Sequence, residues 1–135
     1  MSHYLISALA KKTGLTTDTI RFYEKKGFIQ PNFRANNQYR YYGDDSLKKL
    51  MFIKHCRALE MSLKEIRSLL ELEQSPQQNC SVVNEMIDQN IENINNRIND
   101  LNNFKQHLIQ LRNSCNAPTT VDHCQILKQL ESTDI

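Results

Sequence analysis

The chain has 135 residues, of which 39% are hydrophobic, and a net charge of +2, so its length admits one small domain with or without an extension. No run of roughly 18 apolar residues and no leader-peptide pattern occurs, and we therefore expect a soluble, cytoplasmic protein without a membrane partner. The charge is uneven, because residues 1–60 hold 11 Lys/Arg and 5 Asp/Glu whereas residues 61–135 hold 6 and 10, and the basic first part favours an anionic partner such as nucleic acid.

The N-terminal region predicts two short helices. Residues 4–12 show an amphipathic pattern that Gly14 ends, since glycine is the usual residue at a helix C-terminus. Thr16 can cap a second helix. That helix is predicted over residues 17–26, with Ile20 buried.

A helix-turn-helix over residues 4–26 is one interpretation of this pair, and a small helical core with no DNA function is the other. In a helix-turn-helix, the second helix enters the major groove of DNA. Arg21 and Tyr23 flank Ile20 on the face that we expect to point outward, where an arginine can bind a phosphate or a guanine edge.

Residues 31–43 predict a β-hairpin, or wing. Aromatic residues alternate there around Asn36-Asn37, and asparagine tolerates the left-handed conformation that a hairpin turn needs. Arg34 and Arg40 lie on the two sides of the turn. The basic surroundings favour a phosphate contact for Arg40, whereas solvated arginines and tyrosines that only pack are the alternative.

Two further helices are predicted after the wing. The third helix contains Cys56 among apolar residues, and a buried structural thiol is favoured there over a metal ligand. Ser62 and Glu65 have the spacing of a capping box, which predicts the start of a fourth helix. Ser75-Pro76 ends that helix and opens a linker over residues 75–78.

A long helix over residues 79–114 organises the second half of the chain. It contains neither Gly nor Pro. Its apolar residues recur in steps of mostly three and four, which is typical of a narrow seam on a helix that pairs with another helix. The seam consists of Val83, Ile87, Ile91, Ile94, Ile98, Leu101, Phe104, Leu108 and Leu111.

Cys80 and Cys115 bracket this helix and stand roughly 50 Å apart along it, so they cannot meet within one chain. They do meet if two copies pair antiparallel about a shared centre. Residues that face each other then have numbers that add up to 195, as Ile87 and Leu108 do, and as the two cysteines do. The coincidence predicts an antiparallel homodimer, and a long amphipathic helix with two incidental cysteines is the alternative.

The residues after Cys115 predict a loop and a short terminal helix that Asp122 can cap. The loop can return Cys124 toward Cys115. Three thiols would then converge over residues 115–135 at each end of the dimer: Cys115 and Cys124 of one chain and Cys80 of the other.

Several segments resemble the DNA-binding domain of MerR-type transcription regulators. They are Thr19-Ile20-Arg21-Phe22-Tyr23-Glu24, Gly27-Phe28-Ile29, Arg34, Tyr39-Arg40-Tyr41-Tyr42 and Met61-Ser62-Leu63-Lys64-Glu65-Ile66. The chain departs from the family at the wing tip, where Asn37 replaces a glycine. The resemblance implies a mainly α fold with a winged helix-turn-helix DNA-binding domain over residues 1–74. A linker, a long antiparallel dimerisation helix and a short C-terminal metal-binding loop and helix follow.

The resemblance also implies how such a chain works. The expected DNA contacts come from Thr17, Arg21, Tyr23, Arg34, Tyr39 and Arg40. Members of the family bind, as homodimers, double-stranded promoter DNA whose −35 and −10 elements are badly spaced, and the metal-bound form distorts this DNA so that RNA polymerase can use it. The expected target is a heavy-metal resistance or efflux gene.

The spacing of Cys80, Cys115 and Cys124 resembles that of the three-cysteine divalent-metal sensors of this family. The segment after the last cysteine, Cys124-Gln125-Ile126-Leu127, is similar to the ending of the cadmium- and lead-responsive branch. The resemblance therefore implies Cd(II) or Pb(II) as the effector, with Zn(II) or Hg(II) as alternatives, and thiolates suit these soft ions. Zinc would need a fourth ligand, for which His123 is the candidate, although a solvated histidine is the alternative.

A function of another class is also compatible with the sequence. A thiol-redox or metal-binding protein with an incidental basic half would carry the same cysteines. Specific binding to a palindromic promoter fragment would separate the two functions. Enzyme activity is not indicated, because the sequence contains no recognisable nucleophile–base pair and no carboxylate dyad.

Overall fold

The computed structural model describes residues 2–34, 39–116 and 118–132, and the chain divides into two compact units, Met1–Cys80 and Ser81–Ile135. The first unit contains β1 (His3–Tyr4), α1 (Ile6–Thr13), α2 (Thr17–Lys25), β2 (Phe33–Arg34), β3 (Arg40–Gly43), α3 (Asp44–Ala58) and α4 (Leu63–Glu73). The second unit contains α5 (Ser81–Asn113), a 3-10 turn (Val121–His123) and α6 (Gln125–Glu131).

This architecture confirms the predicted fold class: it is mainly helical, with a winged helix-turn-helix followed by a long helix. The antiparallel pairing of that helix stays a prediction. So does the division into domains at residues 1–74, 75–78, 79–114 and 115–135. Of the helices in the described parts of the chain, none combines the length and apolarity that crossing a bilayer requires.

The helix-turn-helix forms as its turn residues predict. Gly14 adopts a left-handed conformation with φ of 75° and ends α1, where its N–H donates to the carbonyl of Ala10. Thr16 then caps α2, since its hydroxyl accepts a hydrogen bond of 3.1 Å from the backbone N–H of Thr19. The buried side of α2 carries Ile20, which has no exposed surface.

The wing belongs to a three-stranded antiparallel sheet with the order β1-β3-β2. Phe33 pairs with Tyr41 and Arg34 with Arg40, which confirms the predicted hairpin, while the predicted Asn36-Asn37 turn lies outside the described residues. The first strand was not predicted: Tyr4 pairs with Tyr42. The helix predicted from residue 4 therefore begins only at Ile6.

The core of the first unit is built from its helices α1–α4, from β3 and from the loops after α2 and α3. Its buried apolar residues are Leu9, Ile20, Tyr23, Phe28, Ile29, Tyr42, Leu50, Ile53, Cys56, Met61 and Ile66. Cys56 is buried as predicted, and burial raises the pKa of its thiol above the ordinary value. A protonated thiol in an apolar core behaves as a small hydrophobic side chain, so it is a poor metal ligand.

The start of α4 is the predicted capping box. The Ser62 hydroxyl accepts from the Glu65 backbone N–H at 3.1 Å, and the Glu65 carboxylate accepts from the Ser62 backbone N–H at 3.0 Å. These bonds satisfy two of the backbone N–H groups that a helix leaves unpaired at its start.

Ser62→Ala is therefore expected to lower the free energy of unfolding by about 1 kcal/mol, measured by urea denaturation followed by circular dichroism. Ser68→Ala in the same helix is the matched control. The Ser68 hydroxyl donates to the carbonyl of Lys64 within the helix, and alanine has the higher helix propensity. Equal losses of unfolding free energy in the two variants would show that the capping box does not stabilise the protein.

In the second unit, α5 runs over 33 residues with no buried side chain. Cys80 directly precedes it and Cys115 follows it by two residues. Seven of the nine seam residues are 40–65% exposed within the single chain. A continuous apolar stripe of this length on one helix is typical of an interaction surface.

The C-terminal helix differs from the prediction in its start. Asp122 was expected to cap it, but Asp122 lies within the 3-10 turn Val121–His123. The residue at the N-cap of α6 is Cys124. Because the 3-10 turn spans Val121–His123, α6 begins after it, and Cys124 is the N-cap residue.

Candidate nucleic-acid interface and metal centre

The exposed face of α2 presents Arg21. Its side chain is 57% exposed, and its Nη1 lies 3.2 Å from Oδ1 of Asp18, one turn earlier in the helix. A solvent-exposed pair of this kind contributes little to stability. The guanidinium is exposed as expected, and its contact with a phosphate or a base edge stays a prediction. Thr17, the other predicted contact on α2, is half-buried at the first position of the helix.

Tyr23 does not have the orientation that the sequence analysis expected. Only 7% of it is exposed, and its ring packs edge-to-face on Phe28 at a centroid distance of 5.9 Å. The expected outward placement is wrong, because Tyr23 lies three positions after Ile20 and residues at that spacing share one face of a helix.

The wing supplies the remaining predicted contacts. Tyr39 is exposed, and the Arg40 side chain is 41% exposed. Arg34 pairs with Arg40 in the register of the hairpin. Whether any of these residues touches DNA stays a prediction.

Glu24 on α2 is a site residue to which the sequence analysis gave no separate role. Its side chain is only 17% exposed, and its Oε2 lies 2.6 Å from Nη1 of Arg40. Its other oxygen accepts a hydrogen bond of 2.5 Å from the Tyr42 hydroxyl. Burial and the nearby carboxylate raise the pKa of Tyr42 to about 12, so the hydroxyl stays protonated as a donor. The spacing of four residues from Ile20 could have revealed this inward orientation.

Two of the three predicted metal ligands lie in the second unit. Cys115 and Cys124 are both half-buried. The pKa of Cys124 is lowered from its ordinary value, chiefly by the backbone N–H of Leu127, and further by that of Ile126 and by the Cys115 side chain. A helix N-terminus stabilises a thiolate in this way. The two thiols therefore interact, and Cys124 loses its proton, as metal binding requires, more readily than an ordinary cysteine does.

The donor set fits a soft metal ion. Thiolates prefer such ions, whereas Mg²⁺ and Ca²⁺ prefer oxygen ligands. Within the described parts of a single chain, no group of three or more His, Cys, Asp or Glu side chains is placed to hold a metal ion. The predicted site takes its third ligand, Cys80, from the partner subunit, and Cys80 is exposed at the end of the first unit.

His123 lies beside Cys124 in the chain. Its side chain is 70% exposed, and its Nε2 lies 3.8 Å from Oδ2 of Asp122. An exposed histidine next to a carboxylate matches the solvated alternative better than a fourth ligand. Its role as a ligand stays a prediction.

Comparisons with known proteins identify a family and several relatives. The family description "MerR HTH family regulatory protein" matches residues 4–73, and the description "MerR, DNA binding" matches residues 47–111. The HTH-type transcriptional regulator ZntR homolog of Haemophilus influenzae is 42% identical over 107 residues, which are 79% of this chain and 79% of the relative. A probable heavy metal-dependent transcriptional regulator of the same organism is 38% identical over 93% of this chain and 97% of its own length.

Among solved structures, the transcription regulator PbrR691 from Ralstonia metallidurans CH34, in complex with lead(II), superimposes with a TM-score of 0.85. It is 36% identical, and the match covers 93% of this chain and 97% of that chain. These relatives are transcription regulators, which confirms that the chain is not an enzyme. Both the family match and the identity of these relatives extend over most of the fold described above. The chain belongs to the MerR family of helix-turn-helix transcription regulators.

Proposed function

We propose that this chain is a metal-responsive transcription regulator that senses a soft heavy-metal ion through three cysteines and acts on promoter DNA as a homodimer. The observation that carries the proposal is the pair of cysteines, Cys115 and Cys124, whose side chains interact and which follow the long exposed seam of α5. A metal site at that position is also a dimer site, because the partner's α5 begins there in an antiparallel pair.

The third ligand is Cys80 of the partner subunit. With two sites per dimer, Cys115 and Cys124 of one chain and Cys80 of the other would hold each ion, which would link the residues after one α5 to the residue just before the other α5. Because only a short linker over residues 75–78 separates Cys80 from the winged domain, a change at the site would reach that domain along the main chain. The ion supplies charge neutralisation of the thiolates and a fixed distance between the ligands.

Cd(II) or Pb(II) is the effector that we favour. Three thiolates without a further ligand suit these large, soft ions, whereas zinc prefers a four-coordinate tetrahedral site. The similarity to a regulator with a lead(II) complex supports the same choice. Zn(II) and Hg(II) sensors are the alternatives, and the exposed position of His123 argues against zinc.

The action on DNA follows from two winged domains held at a fixed separation. A dimer binds two half-sites and can bend or untwist the DNA between them, so that a badly spaced promoter becomes usable by RNA polymerase. Metal shifts the dimer toward the activating state only if it binds that state more tightly. We expect the protein to work in the cytoplasm on a heavy-metal resistance or efflux promoter.

A metal titration of the reduced protein, followed by ultraviolet thiolate-to-metal absorption, tests the proposal. We expect Cd(II) and Pb(II) to saturate at two ions per dimer, with affinity rising with pH because metal must displace thiol protons. A preference for a monovalent ion would overturn the choice of metal.

A thiol-redox or metal-binding protein would show the same absorption. The two functions separate on DNA, where we expect the wild-type protein to select one palindromic duplex from random-sequence DNA. Failure to enrich any sequence would reject the regulator.

A further inference from the structure

The Glu24 carboxylate links α2, the second helix of the helix-turn-helix, to the wing. Glu24 projects from α2, and both of its oxygens contact residues of β3: one accepts from Nη1 of Arg40 at 2.6 Å and the other from the Tyr42 hydroxyl at 2.5 Å. Tyr42 has no exposed surface and is anchored by its pairing with Tyr4 in the sheet. The carboxylate is thus held in place from its buried side.

Arg40 has more donors than the one that meets Glu24. A guanidinium carries five N–H groups, and in the structure Nη1 is the nitrogen of Arg40 that meets Glu24. The side chain remains 41% exposed. It can therefore hold the carboxylate with one edge while the other edge binds a phosphate.

The contact with Glu24 can orient the Arg40 side chain before DNA binds. A free arginine loses rotamer entropy when a phosphate immobilises it. An arginine that a buried carboxylate already orients has lost much of that freedom before DNA arrives. A negative charge beside the DNA backbone repels phosphate, and so any gain in affinity must come from orientation and not from the charge itself.

We propose that Glu24 is a positioning residue for DNA binding, which aims the Arg40 guanidinium at a backbone phosphate. The inference rests on the proposed DNA-binding function, and it assigns Glu24 a role through Arg40 and not through a contact of its own. The Asp18 carboxylate, which Arg21 contacts, is 93% exposed, and in the part of the chain that the structure describes it has no second, buried partner.

A double-mutant cycle on DNA affinity tests the inference. Glu24→Gln keeps an acceptor for the Tyr42 hydroxyl but replaces the oxygen that faces Arg40 with an NH₂ group. The probe is the duplex that the wild-type protein selects from random-sequence DNA, at one fixed salt concentration. We expect Glu24→Gln to weaken binding about tenfold in the presence of Arg40, and to have almost no effect in an Arg40→Ala background, because coupled residues are not additive.

Three outcomes would overturn the inference. Equal losses in both backgrounds would mean that Glu24 acts through α2 or the fold alone. Tighter binding by Glu24→Gln would mean that the carboxylate merely neutralises Arg40. An unchanged affinity would mean that the contact has no part in binding.

Two further measurements control for the change in net charge and for misfolding. Glu73→Gln, the same chemical change at an exposed position at the end of α4, should leave the affinity unchanged and so controls for net charge. Thermal unfolding identifies any loss that comes from misfolding. If the wild-type protein selects no duplex at all, the result contradicts the proposed DNA-binding function itself. The three outcomes given above contradict only the role of Glu24.

Discussion

A heterodimer of a Cys80→Ser chain with a Cys115→Ser/Cys124→Ser chain is expected to bind one metal ion at wild-type affinity. Neither mutant homodimer should do so. In the heterodimer, the first chain supplies Cys115 and Cys124 and the second supplies Cys80, so that one complete three-thiolate site forms across the two chains. The other end of the dimer has no thiolate of this set.

The loss in each homodimer should be large. Changes to residues that only support a ligand already cost about 10–100-fold in metal affinity, and each homodimer lacks at least one ligand at both ends. Two differently tagged chains, coexpressed and purified through both tags, allow the heterodimer to be isolated. Its metal content and its thiolate-to-metal absorption are then measured beside the wild-type dimer, which should hold two ions.

Cys56→Ala is the matched control, because Cys56 is buried in the first unit and its thiol pKa is raised. We expect this variant to bind two ions. A heterodimer that binds no metal would contradict the cross-chain site. A Cys80→Ser homodimer with full affinity would show that Cys115 and Cys124 suffice without the partner.

Ile94→Lys is expected to separate the dimer, with the dissociation constant rising by about 100-fold or more, since burying an unpaired charge costs several kcal/mol. In the antiparallel pair, Ile94 of each subunit faces Leu101 of the partner subunit, so that this contact occurs twice in the dimer. Each dimer of the variant would therefore bury two ammonium groups against leucine. Sedimentation at a series of concentrations measures the change, and loss of binding to a palindromic duplex should accompany it.

The antiparallel register makes a second expectation possible. Adding Leu101→Asp to Ile94→Lys places opposite charges across the interface at both contacts, because the two positions face each other. The double variant should associate more tightly than either single variant. Positions 94 and 101 lie seven residues apart within one helix, which is too far for a direct ion pair in the same chain.

Asn96→Asp provides the control, since it introduces a charge at an exposed position on the opposite side of α5. We expect it to remain a dimer. If the double variant is no better than the singles, the register in which facing residues add up to 195 is wrong. A dimer that survives Ile94→Lys would place the interface elsewhere.

Much of the fold was predictable, because it rests on local chemistry. The Gly14 helix end, the Thr16 cap and the Ser62–Glu65 capping box each depend on a few adjacent residues, and each forms as predicted. The length of α5 followed from its periodicity and its lack of helix breakers. The hairpin followed from its turn and its alternation.

The features that the prediction missed depend on contacts distant in the sequence or on helix phase. A strand of two residues at His3–Tyr4 shows no periodicity and exists only because β3 pairs with it. The orientations of Tyr23 and Glu24 required the face of α2 to be worked out from Ile20. Asp122 resembled a cap, but a 3-10 turn before Cys124 displaced the helix start.

The candidate metal site was predictable only in part for a related reason. Cysteine spacing identified Cys115 and Cys124, and the structure makes them neighbours. The position of Cys80 relative to them depends on pairing between two chains. The symmetry of the seam predicts that pairing.

The exposure of the α5 seam within a single chain affects how much protein a cell must make. A helix that buries no side chain in its own chain and is rich in asparagine is marginal alone, so in the proposed dimer its folding and its pairing are one equilibrium. Its melting temperature should then rise with concentration. Where free subunits predominate, halving the gene dosage would lower the dimer concentration more than twofold, because dimer concentration follows the square of the free subunit concentration. Unpaired subunits, half unfolded, would be the preferred substrate of cellular proteases.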